Sequence, residues 1–219
     1  MITMNENEKK LIKLFQNSTG EKVISISPLP PSGSSRCYYR ISGKEKTLIG
    51  AVNKDLKENK AFIYLSRHFK KFKLRVPKIE AEDLKNNIYL VEDLGNTTLF
   101  ELLSAMRKGN SIPDEIISLY KKAIEQLAAF QFSTKGLDFK KCYPRHSFDS
   151  QSIMWDLNYF KYYFLKLAGI EFNEQLLEDD FNLFAKFLLS ADSKYFLYRD
   201  MNSRNIMVKG EDLYFIDYQ

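Results

Sequence analysis

The sequence predicts an α+β fold: a small N-terminal lobe of antiparallel strands with one helix, then a mostly helical lobe ending in a β-hairpin. Three observations carry this. Short strand-like runs cluster before residue 94, amphipathic runs of helical period dominate after it, and IMV and LYFI flank the turn KGED near the C-terminus. The division falls at LVEDLG, Leu90 to Gly95, giving residues 1–94 and residues 95–219.

Each element follows from local pattern. A short amphipathic helix is expected over Glu6 to Gln16. VISISPLPPSGSSRCYYRI supplies strand, loop and strand, with Pro and Gly concentrated in the loop, and TLIGAVN supplies a third strand. KENKAFIYLSRHFKKF is helical, because Phe62, Leu65 and Phe69 recur at spacings of three and four. KIEAED and NNIYLVED return to strand, joined by a turn at NN. Beyond residue 95, FELLSAM, DEIISLYKKAIEQLAAFQF, SIMWDLNYFKYYFLKLA and EDDFNLFAKFLLSA carry apolar stripes of helical period, which read as core-facing surfaces. The helix around Trp155, with Tyr159, Phe160, Tyr162, Tyr163 and Phe164, is apolar around most of its circumference and is expected in the middle of the helical lobe.

Composition excludes several classes. With 219 residues and 44% hydrophobic content the chain is large enough for a substantial core, and no apolar run reaches the about 18 residues of a membrane span. Cys37 and Cys142 fit no metal or redox spacing and are expected as reduced thiols in a cytoplasmic protein. The net charge of +5 is modest. The basic run Arg67 to Lys78 and the acidic run Glu171 to Asp180 read as solvated helix ends, with Phe69 and Phe72 expected to point inward, so no nucleic-acid partner is expected.

The most specific signal is YRDMNSRNIMV, Tyr198 to Val208, followed by LYFIDYQ, Leu213 to Gln219. If IMV and LYFI form a hairpin, Asn205 and Asp217 sit side by side at its open end. Facing residues in such a pair have Cβ atoms about 4.5–5.5 Å apart, close enough for two side-chain oxygens to share one Mg²⁺. Asp200, in the loop entering the first strand, can then accept a hydroxyl proton as an alcohol attacks a metal-bound phosphate.

These residues match the kinase catalytic loop H-R-D-x-x-x-x-N and its later metal-binding Asp, with Tyr198 in place of His and IDYQ in place of D-F-G. The chain resembles the aminoglycoside phosphotransferase and choline kinase family of the protein-kinase-like fold, and within it the bacterial N-acetylmuramate/N-acetylglucosamine anomeric sugar kinases. The resemblance spans about Ser25 to Gln219. It implies an ATP- and Mg²⁺-dependent kinase acting on a hydroxyl of a small molecule, an amino sugar, with a hinge at LVEDLG whose Glu92 and Leu94 backbones meet the purine. It also implies a phosphate-gripping loop at Ser32, Gly33, Ser34 and Ser35.

The sequence departs from the family pattern in three places. The loop has one glycine, TLIGAVN carries no strand lysine, and the helix glutamate position holds Lys60, with Glu58 two places earlier. Arg36, Tyr38 and Arg40 share one strand face, so an arginine from the second strand is expected to replace the lysine, Arg40 before Arg36. Arg204 is a further candidate for phosphate charge. Arg145, His146 and Asp149 offer polar contacts to a sugar. The chain stops two residues after Asp217, where relatives continue, which suggests truncation. The altered pair and this ending leave open a catalytically silent nucleotide-binding or regulatory module.

Overall fold

A computed structural model of the chain describes residues 4–31, 36–109 and 111–218. The serine-rich loop residues Ser32, Gly33, Ser34 and Ser35 lie outside the described residues. The first helix, α1 (Glu6–Thr19), starts at a capping box between Asn5 and Glu8 and ends at Gly20, whose φ of 75° is a left-handed conformation glycine adopts without steric cost. Five strands then form one antiparallel sheet: β1 (Ser25–Pro28), β2 (Cys37–Ser42), β3 (Thr47–Val52), β4 (Ile79–Asp83) and β5 (Ile88–Glu92), ordered β1-β2-β3-β5-β4. Helix α2 (Leu56–Lys71) lies between β3 and β4 in sequence.

The period-two alternation divides the sheet between two cores. Tyr39, Ile41, Leu48, Ile88 and Leu90 pack with Leu11 and Phe15 of α1 on one face. Ile49, Ala51, Tyr89 and Val91 face the other way, onto Phe62, Leu65 and Phe69 of α2. Gly50 lies where α1 comes close: a Cβ there would meet the Leu11 side chain at 2.8 Å and Ile41 at 2.9 Å.

The helical part contains α3 (Leu99–Met106), α4 (Asp114–Phe132), α5 (Ser150–Phe160) and α6 (Glu174–Leu188), and the hairpin of β6 (Ile206–Lys209) and β7 (Asp212–Phe215) follows. The α2 core continues into this part without a break. Phe69 meets Phe130, Phe196 and Tyr218 edge-on, with ring centroids 4.9, 4.9 and 5.3 Å away. Phe69 is fully buried as expected, whereas Phe72 is exposed because it caps the end of α2. His68 is buried too, donating from Nε2 to the Ser133 carbonyl at 2.6 Å.

One expectation is corrected. The α5 aromatics do not lie in the middle of a lobe: Trp155, Tyr159, Phe160, Tyr162, Tyr163 and Phe164 are all exposed, and so are Leu183, Phe184 and Phe187 of α6. Composition marks such a helix as apolar but not which side another element covers. Among the described residues α5 packs against α6, and a turn of π-helix at Lys161–Leu165 follows it. Lys161, inside that turn, is buried and bridges to Glu174 and Glu178 at 2.5 and 2.8 Å. No described helix is long and apolar enough to cross a membrane.

Candidate active site

The catalytic-loop motif folds as a tight sequence of turns that delivers the chain into β6. Asn202 caps a short 3-10 turn, Ser203–Asn205, its side chain accepting from the Arg204 N–H at 2.9 Å. Asn202 and Asn205 both donate from their side-chain amides to the Asp200 carbonyl, at 3.2 and 3.0 Å, pinning the backbone of Asp200 while its side chain stays at an exposed position. With Nδ2 of Asn205 turned to that carbonyl, its Oδ1 lies on the opposite side of the amide.

The hairpin brings in the second acidic residue. Ile206 faces Phe215, and one step further out the Ile216 N–H donates to the Asn205 carbonyl at 3.0 Å, so Asp217 follows directly at the same open end. Asp217 is exposed and holds φ at 62°, a conformation that costs a non-glycine residue about 1 kcal/mol or more and that collects at functional sites. Its neighbours fix it on both sides. The buried Tyr198 hydroxyl donates to the Ile216 carbonyl, and the buried Tyr218 hydroxyl bonds Ser66 of α2 at 2.5 Å. Burial chiefly, with Tyr218, Asp217 and Asp200 adding negative potential, holds the Tyr198 phenol well above its usual range. The chain's two acidic motif residues are thus within electrostatic reach of one tyrosine, which stands where the kinase motif has histidine.

Asn205 and Asp217 offer an amide and a carboxylate oxygen at one exposed backbone junction. Hard oxygen donors of this kind fit Mg²⁺, which prefers one or two protein ligands completed by phosphate and water. Among the described residues no cluster of three His, Cys, Asp or Glu side chains competes as a metal site.

The two arginines of the β2 face part company. Arg40 faces Ile49 across the sheet and reaches the segment after β5: its Nε and one terminal nitrogen bond both oxygens of Asp93 at 2.7 and 3.0 Å, and further donors reach Asn96 at 2.7 Å and the Gly95 carbonyl at 3.1 Å. Arg40, the arginine expected first at the phosphates, thus has its guanidinium on a bidentate carboxylate and two further acceptors of the hinge segment. Arg36 is buried and meets Glu58 of α2 at 2.5 Å, with the Tyr38 hydroxyl at 3.2 Å and the Phe62 ring 5.7 Å away. Burial works to discharge the guanidinium, but the Tyr38, Tyr89 and Glu58 oxygens outweigh it and hold its proton more tightly than in water. Lys60, a fallback for this charge, is exposed. Arg204 lies over the Phe100 ring of α3 at 3.7 Å, which places its charge against that helix.

The hinge residues have definite places. Glu92 ends β5, its N–H donating to the Lys78 carbonyl at 2.9 Å, and its carboxylate takes Lys209 of β6 at 3.2 Å. Leu94 is buried. The Val208 N–H donates to the Thr97 carbonyl at 2.8 Å, so the chain leaving the hinge runs along the hairpin. In the RHSFD loop, Asp149 caps α5 at the Ser152 N–H and pairs with Arg145, which lies over Trp155 at 5.1 Å. These bonds account for Arg145 and Asp149 structurally; His146 is exposed.

Sequence reasoning missed the partners more than the residues. Asp93 stood in the hinge motif, yet nothing in that motif indicated that it would take an arginine 53 positions earlier. Glu58 stands two places before the helix position at which a glutamate was expected, yet it meets Arg36.

No protein-family model matches the chain. It is 26% identical over 198 residues to an N-acetylmuramate/N-acetylglucosamine kinase of Pseudomonas aeruginosa, a match covering 89% of this chain and 54% of the relative, so the chain spans about half the relative's length. Among solved structures it is similar to the apo form of a thermostable mutant of aminoglycoside phosphotransferase APH(4)-Ia, with TM-score 0.61 and 13% identity over 94% of this chain and 70% of that one. It is also similar to spectinomycin phosphotransferase APH(9)-Ia in complex with ADP and spectinomycin, with TM-score 0.58 and 12% identity over 96% and 68%. The chain has the protein-kinase-like fold of the aminoglycoside phosphotransferases.

Proposed function

We propose that this protein is a phosphotransferase moving the γ-phosphoryl group of ATP to a hydroxyl of a small molecule, an amino sugar. The observation that carries the reading is the junction at the open end of the hairpin, where Asn205 is bonded to both the Asp200 and the Ile216 backbones and Asp217 follows at once. The likeness to a kinase of amino sugars and to the aminoglycoside phosphotransferase fold supports it.

In this reading the acceptor hydroxyl lies against Asp200, whose carboxylate takes its proton as the oxygen attacks the γ-phosphorus. The bond from that phosphorus to the bridging oxygen breaks and ADP leaves. Asn205 and Asp217 would hold Mg²⁺, which would supply positive charge against the charge developing on the transferred phosphoryl group. The backbones of Glu92 and Leu94 meet the purine edge, and the loop Ser32, Gly33, Ser34 and Ser35 covers the phosphates. Residues 1–94 act as the nucleotide lobe and residues 95–219 carry the catalytic loop. The work proceeds in the cytoplasm.

The silent-module alternative drew on the altered lysine–glutamate pair and on the ending of the chain, and the contact between Arg36 and Glu58 bears on the first of these alone. Incubation with ATP, Mg²⁺ and a panel of amino sugars, followed by mass spectrometry, tests the reading. A sugar phosphate is expected. Nucleotide-dependent thermal stabilisation with no phosphorylated product would favour the silent module instead.

A further inference from the structure

Helix α2 presents one face to the sheet through Phe62, Leu65 and Phe69, and another of its flanks is covered by the helical part. The segment between α4 and α5 runs along that flank in the reverse direction. Its start meets the C-terminal end of α2, where His68 Nε2 bonds the Ser133 carbonyl at 2.6 Å. Its middle meets Tyr64, whose hydroxyl accepts from the Asp138 N–H at 2.7 Å while the Lys141 ammonium stands 4.6 Å from the ring. Its end meets the N-cap, where the Tyr143 hydroxyl donates to the Asp55 carboxylate. At a rise of 1.5 Å per residue, Asp55 to His68 is about 20 Å of helix. Residues 133–143 therefore follow α2 nearly from end to end.

The two ends of this segment are held differently. Ser133 and His68 are buried, and Leu137 and Phe139 pack against the core, so the first end is tied into the interior. Tyr143 and Asp55 are half-buried and meet through the Tyr143 hydroxyl. Hydrogen bonds at partly exposed positions open at less cost than those inside a core. What that hydroxyl holds is the cap itself, because the other Asp55 oxygen accepts from the Lys57 and Glu58 N–H groups at 2.9 and 3.1 Å. The first turn of α2 also carries the Glu58 carboxylate and the buried Asn59, both bonded to Asn53 just beyond β3. A change at this end of the segment is thus passed to the junction of helix and sheet.

We propose that residues 133–143 form a strap on α2, anchored where Ser133 meets His68 and latched where Tyr143 meets Asp55, and that the latch opens on its own, releasing the first turn of α2 while the core stays folded. The strap ties the helix that bears Glu58 to the helical part from outside the sheet, so its latch sets how far that helix end can shift. These contacts exist whatever the site binds, so the strap stands apart from the phosphotransferase reading.

Cys142, next to the latch and packed against the core, reports on the opening. Burial chiefly, with Asp138 adding negative potential, holds its thiol above the usual range, so it reacts slowly until the strap lifts. In a Cys37→Ser background it is the chain's one thiol, and labelling with an aromatic disulfide reagent reads the open population when reclosing outruns reaction. Cys142 is expected to label faster than global unfolding allows, at a rate that sub-denaturing urea barely changes, because opening the latch exposes little surface. Tyr143→Phe should raise that rate about 10-fold, the loss of one hydrogen bond to a carboxylate. Hydrogen exchange should quicken across residues 55–59 and 138–143 but not around Phe69. The urea dependence with Tyr143 in place decides the matter even if Tyr143→Phe folds poorly. Labelling that follows global unfolding, an unchanged rate in Tyr143→Phe, or exchange quickened along all of α2 overturns the inference.

Discussion

Two arginines on one face of the sheet, Arg36 just before β2 and Arg40 within it, carry the same side chain and use it differently. At one end Arg36 is buried against a glutamate of α2; at the other Arg40 is half-buried and spread over the hinge. The first contact joins the sheet to the helix that packs beneath it, and the second joins the sheet to the segment leading into the helical part. Residue type and strand face are identical, so what differs is the acceptor each end meets. Arg36 is held in the interior by the Glu58 carboxylate and the Tyr38 hydroxyl, whereas Arg40 ties the sheet to the hinge through a bidentate carboxylate and two further oxygens.

The largest expected effect separates both arginines from the chemistry. Asp200→Asn should cut phosphoryl transfer by about 10²- to 10⁴-fold, the range for removing a general base, and leave ADP affinity intact in calorimetry. A parallel fall in ADP affinity would mean that Asp200 belongs with the nucleotide grip. Next comes the ground beneath the Arg36 end. Phe69, fully buried among Phe130, Phe196 and Tyr218, anchors α2, and Phe69→Ala should cost about 3–5 kcal/mol in urea unfolding.

Arg40→Ala sharpens the contrast itself. It leaves Asp93 without its bidentate partner, at a cost of about 1–3 kcal/mol, and should weaken adenosine and ADP equally. Selective loss of ADP would show that the hinge end reaches phosphate.

The smallest effect concerns the cap of α2. The Tyr143 hydroxyl, then the Glu58 N–H, holds the Asp55 carboxyl below its usual 3.8. A carboxyl lowered in the folded state contributes stability above its unfolded value and loses it as pH falls through the folded one. Tyr143→Phe should therefore lower the melting temperature slightly at neutral pH. The gap to wild type should close in acid, below about pH 3.8, as Asp55 takes up its proton. A gap independent of pH would assign the loss to packing.

Legibility in the sequence followed the range of the interactions. The hairpin and its loop were readable because strand alternation, a polar turn and an asparagine cap act over a few residues; its register was not, since Asn205 stands opposite Ile216 and Asp217 follows one residue further on. Every strand of the sheet and helix α2 followed from period alone. The choice between Arg36 and Arg40 was not readable, since Glu58 and Asp93 lie 22 and 53 positions away and alternation specifies a face but not an acceptor. The α5 aromatics failed for a related reason: hydrophobic content does not say which neighbour covers a helix, and here the ring of Tyr159 stacks on Tyr163 at 4.4 Å in an exposed row.

The most direct measurement is product formation from ATP and an amino sugar by the wild-type chain, Asp200→Asn and Asp217→Ala side by side, with and without Mg²⁺. The account predicts sugar phosphate from the wild type only when Mg²⁺ is present, and little or none from either variant. Equal product from the wild type and Asp200→Asn, or turnover indifferent to Asp217, would contradict it.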